Sequence, residues 1–219
     1  MKVVVVDYGM GNLHSVLKSV QAAQKLAGVR AEIELTDAPE KVFAADKIIF
    51  PGQGAMPDCM RYLDAAGLRE AVLRAARTKP LFGVCVGEQM LFERSEEGDT
   101  EGLGVLGGQV TRFRRDAMRA PDGAALKVPH MGWNRVVQAR AHPIWSGVPD
   151  GAYFYFVHSF ALPVGEDTAA ETSVQNVTFS SIVAKGNIIG FQFHPERSGP
   201  LGLRLLQTTI QLLEGKGGA

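Results

Sequence analysis

Hydrophobic residues follow two rhythms along the chain, and the change between them falls near residue 90. KVVVVDYG (2–9) is an unbroken valine run closed by polar residues and glycine. A short run that is apolar at every position suits a strand buried on both faces, as in a parallel sheet. Directly after it, Leu13, Val16, Leu17, Val20 and Ala23 recur at helical spacing, with Asn12 placed as the N-cap and Gly28 as the stop. Residues 31–35 alternate like a strand, and KIIFPG (47–52) reads as another buried strand with a turn behind it. Helical spacing returns around 57–77, broken at Gly67, and KPLFGVCVG (79–87) is strand-like again. This order, strand, helix, strand, strand, helix, strand, predicts a parallel sheet with helices on its faces.

Further on, short β-like pieces take over: GGQVTRF (107–113), NRVVQA (134–139), AYFYFVHSFAL (152–162), AAETSVQ (169–175) and FSSIVAKGNIIGFQFH (179–194). AKGN (184–187) has hairpin-turn chemistry. Residues 200–215 close the chain as an amphipathic helix, before a flexible glycine-rich tail at 216–219. Without a repeat or a long linker, residues 1–215 are expected to form a single α/β domain. Its sheet should be single, open, mostly parallel and twisted, with helices on both faces and a strand-rich second half.

Composition narrows the function. The chain has 219 residues, 46% of them apolar, enough for a sizeable core. Lys+Arg and Asp+Glu both number 23, so no basic field exists to hold a nucleic acid. No apolar run approaches the ~20 residues of a spanning helix, and the N-terminal valines are too few for a secretory leader. Cys59 and Cys85 are too few for a disulfide framework, which fits a reducing cytoplasm and leaves Cys85 a free thiol. None of the five histidines stands at metal-ligand spacing from another His or a Cys, so neither a zinc site nor any cofactor is expected.

GVCVGEQ (83–89) sets one cysteine between two glycines where a buried strand stops and GEQMLFER reads as helical. A sharp strand-to-helix turn exposes its middle side chain, and small neighbours let backbones approach it. The helix would aim its first amides at the sulfur and favour thiolate over thiol. The Val86 amide would point toward an oxyanion formed at Cys85, and FPGQG (50–54) could add a second donor near Gln53. The plainer alternatives are a small core cysteine and an ordinary turn.

A thiolate needs a proton partner. His194 follows the apolar strand IIGFQF and precedes Pro195 and Glu196. An extended H-P-E would put His194 and Glu196 on one side, letting the carboxylate hold the imidazole tautomer. Cys85 and His194 both fall at the carboxyl ends of strands, where open α/β sheets gather functional groups. Activity is then expected to fall as His194 gains a proton near or below neutrality.

PGQG, GVCVGEQ and FQFHPE, in this order, resemble the triad-type (class I) glutamine amidotransferases. DYGMGNLHSV (7–16), KVPHMGWN (127–134), YFVHSF (155–160) and HPERSG (194–199) resemble more narrowly the glutaminase subunits of imidazole glycerol phosphate synthase, over nearly the whole chain. The resemblance implies Cys85 as nucleophile, His194 as base and acid, and Glu196 as its orienter. It implies that Gly52, Gln89, Ser159 and Phe160 hold L-glutamine. It also implies a heterodimer with a (β/α)₈-barrel cyclase that receives the ammonia, reached through Asn12, Trp133, Asn134, Tyr155 and Arg197. For Trp133 and Tyr155 the alternative is core packing. The usual pattern has Val at Gln53, Met at Glu88, Tyr at Phe160 and Lys at Arg197. Glu88 would oppose a thiolate unless it points to solvent. The rival functions are the glutaminase of another synthase, such as pyridoxal phosphate synthase, a thiol hydrolase acting on peptides, and a non-catalytic scaffold on the same fold.

Overall fold

The valine run forms β1 (Lys2–Val6), buried at four of its five positions. In a computed structural model of the chain, residues 1–114, 116–120, 122–124 and 126–212 are described; the expected tail at 216–219 lies outside them. After β1 come α1 (Leu13–Ala27), β2 (Glu32–Thr36), α2 (Pro39–Ala44), β3 (Lys47–Gly52), α3 (Met56–Ala65), α4 (Arg69–Thr78) and β4 (Leu81–Cys85). α1 stops at Gly28, which takes the left-handed conformation with φ 67°. Asn12 does precede α1, but its side chain caps nothing. The short helix α2 was not anticipated: six residues carry too little periodic signal.

α5 (Val86–Gln89) departs from expectation. It is a single turn rather than a helix running to Arg94. The chain goes over instead to β5 (Phe92–Ser95), which pairs with β6 (Thr100–Glu101) and β7 (Leu106–Arg112). Ladder pairing thus overrides the helical propensity of Met90, Leu91 and Glu93. The remaining elements are β8 (His130–Gln138), β9 (Ala152–His158), β10 (Phe160–Pro163), β11 (Thr168–Val174), β12 (Val177–Lys185), β13 (Ile188–Phe191) and α6 (Gly199–Gln211).

The strands lie in the order β2-β1-β3-β4-β13-β12-β10-β7-β5-β6, and β11, β8 and β9 branch from β12. The five strands β2 to β13 are mutually parallel, and antiparallel pairing prevails in the second half. Every residue of β3 and β4 is buried. Since strand side chains alternate, both faces of the parallel region are covered. Lys47, buried at the start of β3, donates to the Leu212 carbonyl at 2.7 Å and to the Ile210 carbonyl, satisfying the end of α6.

Candidate active site

β4 delivers Cys85 to its carboxyl end, opposite Gly52 of β3. The chain turns so sharply there that Cys85 has φ 55° and ψ −115°, a conformation costing a non-glycine residue about 1–3 kcal/mol and found chiefly at functional sites. Glycine permits the turn by clearance. A Cβ on Gly87 would stand 2.0 Å from the Phe50 carbonyl oxygen, and one on Gly83 2.7 Å from the Glu88 Cα. The flanking glycines therefore act as the spacing suggested.

His194 comes from the segment just beyond β13, which pairs in parallel with β4. Its Nδ1 meets Glu196 Oε1 at 2.8 Å. The route differs from the expected extended tripeptide, because Pro195–Arg197 is a 3₁₀ turn. An ionised carboxylate only accepts, so Nδ1 carries the proton and Nε2 is left for the sulfur. Ser198, unnoticed in the sequence, staples this turn to β9. Its hydroxyl donates to the His194 carbonyl at 2.6 Å and accepts the Tyr155 N–H at 3.0 Å.

Cys85, Val86, Gln89, His158, Phe160 and His194 line one cleft of about 280 Å³. Gln53 and Ser159 line it too, whereas Gly52 lies behind the elbow, where a Cβ would meet the Gly87 nitrogen at 2.3 Å. A larger open groove of about 500 Å³ runs along Arg112 and Asn176. Among the described residues it is lined by no cysteine or histidine, so size alone does not mark the chemistry. Cys85 and His194 are 3% and 4% exposed: covered, yet both facing the cleft.

Burial by itself pulls the His194 pKa down. The charge of Cys85, its hydrogen bond, and those of Glu196 outweigh burial and push His194 up to about 10. This direction runs against the expected acid limb near neutrality. The shift favours the protonated form of His194, and an imidazolium beside the sulfur is suited to act as an acid.

Glu88 is also corrected. It does not reach solvent; it is fully buried, with neither carboxylate oxygen hydrogen-bonded. Burial, with the Cys85 charge adding, raises its pKa well above the usual carboxylate range. Held neutral, it places no negative charge beside the sulfur.

Gln89 donates to the Phe160 carbonyl and to Gln192 Oε1, both at 2.9 Å. Gln192, also missed, points its amide at the Cys85 sulfur at 3.9 Å. Its signal was available: a lone polar residue in an apolar strand, two positions before His194. The Gln53 side chain accepts the Asn12 N–H at 3.1 Å, and its carbonyl accepts the Cys59 thiol at 3.5 Å. Cys59 thus underlies the 50–54 turn. Glu97 is the one carboxylate among the described residues lining the cleft, and its Oε2 accepts the Met56 N–H at 2.8 Å.

Of the expected partner-facing residues, Trp133 is 55% exposed, which removes the core-packing alternative for it. Its ring meets Tyr155 edge-on at 6.2 Å, and the Arg197 guanidinium lies 4.4 Å over the Tyr155 ring. Asn12 is exposed and Asn134 half-buried. Among the described residues, no group of three or more His, Cys, Asp or Glu could hold a metal. Among the described residues, no helix is long and apolar enough to cross a membrane.

Residues 4–211 match the model of the family "Glutamine amidotransferase class-I". The chain is 53% identical over 211 residues to the imidazole glycerol phosphate synthase subunit HisH of Neisseria meningitidis, covering 96% of this chain and 99% of that one. It is 54% identical over 212 residues to the subunit of the same name from Chromobacterium violaceum, covering 96% and 97%. The fold is similar to that of a crystallised glutamine amidotransferase (TM-score 0.67, 18% identity, 95% and 97% covered). It also resembles a glutamine amidotransferase from Thermotoga maritima (TM-score 0.59, 17% identity, 98% and 84% covered).

Proposed function

Because the chain belongs to the class I glutamine amidotransferases, we propose that it is the glutaminase subunit of an imidazole glycerol phosphate synthase in histidine biosynthesis. The matched span works as one domain. The observation that carries the mechanism is the His194–Glu196 bond at 2.8 Å, beside a cleft that a strained, covered Cys85 also lines.

Cys85 attacks the side-chain amide carbon of glutamine, forming a C–S bond. The resulting oxyanion is stabilised by the backbone donors of Val86 and Gln53. His194, already protonated, gives its proton to the nitrogen as the C–N bond breaks and ammonia leaves. Neutral His194 then takes a proton from water attacking the thioester, and glutamate departs with the thiolate restored. Gln89, Ser159 and Phe160 orient the substrate, with Gly52 shaping the elbow behind them. The carboxylate of Glu97 complements its α-ammonium group.

The ammonia passes to a (β/α)₈-barrel cyclase, in a heterodimer formed in the cytoplasm. Support for the docking face is the contiguous row of exposed Trp133 and Arg197 on half-buried Tyr155, with exposed Asn12 and half-buried Asn134. The test is a glutamine hydrolysis assay with the purified cyclase barrel and its nucleotide ligand. Wild-type chain should turn over glutamine and Cys85→Ala should not; hydrolysis retained by Cys85→Ala would remove Cys85 as nucleophile. Capture of a different synthase as native partner would favour another glutaminase.

A further inference from the structure

Hydrogen bonds also leave the cleft toward β8. The Phe160 carbonyl, besides accepting from Gln89, is 2.9 Å from His158 Nδ1. His158 Nε2 is 2.9 Å from His130 Nδ1, and His130 Nε2 is 3.2 Å from Asn134 Nδ2. In the other direction, Gln89 continues through Gln192 to the Cys85 sulfur. The links run unbroken from the half-buried Asn134, next to exposed Trp133, to the nucleophile.

The polarity of this series is set at both ends. A carbonyl only accepts, so His158 carries its proton on Nδ1. A neutral imidazole then accepts at Nε2, which makes His130 donate from Nδ1 and accept at Nε2. Asn134 must therefore donate. Independently, Asn134 Nδ2 points at the Ser173 carbonyl at 3.2 Å, and its Oδ1 accepts the Arg135 N–H at 2.8 Å. Those contacts orient the amide the same way. An added proton on either ring would set two donors face to face. Phe113, Phe156 and Phe179 pack around both imidazoles, with His158 4.9 Å from the Phe179 ring. Burial holds His130 down to about 4. Burial, with His130 and His194 adding to it, holds His158 down to about 3.

We propose that Asn134, His130 and His158 are positioning residues: a one-way hydrogen-bond chain that sets the Phe160 carbonyl and so couples β8 to the Gln89 and Gln192 amides beside Cys85. The inference rests on the glutaminase function and deepens it. The chain acts through Phe160 and transfers no proton.

Two substitutions separate the ends of His158. Asparagine places an amide near Nδ1 and keeps a donor for Phe160. Glutamine reaches toward Nε2, keeps an acceptor for His130 and leaves Phe160 without its second donor. In the full chain assembled with the cyclase barrel, His158→Gln should lower kcat/KM for glutamine about 10-fold or more, while His158→Asn recovers most of that loss. Nitrogen-15 spectra of the wild-type imidazoles should show both rings neutral with the proton on Nδ1. Equal kinetics for the two variants, or a proton on Nε2 of either ring, would overturn the chain. A wild-type complex without glutamine turnover would overturn the function instead, and the ring spectra would still decide the chain.

Discussion

Buried His194 and His158 both line the cleft, with half-buried His130 bonded behind His158, and burial plays out differently at the first than at the other two. Burial opposes protonation at all three. At His194 the Cys85 sulfur and the Glu196 carboxylate stand on either side and outweigh burial, and the imidazole rises to about 10. At His130 and His158 the neighbours are carbonyl, amide, aromatic ring and each other, and burial wins, to about 4 and about 3. Depth alone therefore says little about a histidine. What decides is whether an anion lies within a few ångströms to offset desolvation. Glu88 is the mirror case: a buried acid with no hydrogen-bonding partner, driven neutral. On the proposed function, the parallel region would carry the chemistry and the antiparallel region a neutral histidine series for positioning.

The largest effect should come from removing an anion. Glu196→Gln is expected to lower glutamine turnover on the order of 100-fold and to bring His194 down from about 10 in an NMR titration. A titration that does not move would assign the whole shift to the sulfur. Next is the pH profile of the wild-type complex. His194 keeps its proton until pH approaches 10, so turnover should hold through neutrality and fall as pH rises through about 10. A limb centred near the ordinary histidine value of about 6.5 would erase the contrast between the two groups.

The neutral pair predicts a stability effect of opposite sense. Both folded values lie below the unfolded one, so the unfolded chain binds more protons in acid. Their contribution is complete above about pH 6.5 and is lost as pH falls toward about 4 and about 3. Denaturant unfolding between pH 7 and 4 should therefore show a shallower loss for His158→Asn than for wild type. Smallest is Glu88. Exchanging this unsatisfied carboxyl for methionine should raise stability by about 1–3 kcal/mol, read from the denaturation midpoint. Glu88→Gln should shift it little, because the acid is already neutral.

Much of this was legible in residue order. The valine run, the spacing of Leu13 to Ala23 and the glycines around Cys85 act locally, so they speak through sequence. Cys85, His194 and Glu196 stand out as candidates in the sequence because strand ends are readable and open sheets collect function there. α5 was misjudged because Met90, Leu91 and Glu93 favour a helix, while pairing of β5 with Leu106, Gln109 and Val110 of β7 dictates a strand. Gln192, Ser198 and the two histidines were passed over because each looks ordinary in its own segment. His130 meets its ring partner 28 residues away, and Gln89 meets Gln192 at a separation of 103.

By itself the sequence determined the class of elements, the placing of Cys85, His194 and Glu196 at chain turns, and a neutral surface unsuited to nucleic acid. Only the tertiary structure decided which histidine is charged, that Glu88 is sealed in and neutral, and that Trp133 faces outward. The reason is range. Backbone preference and side-chain rhythm are set by neighbours a few positions away, whereas protonation and exposure are set by atoms within a few ångströms, contributed by distant parts of the chain.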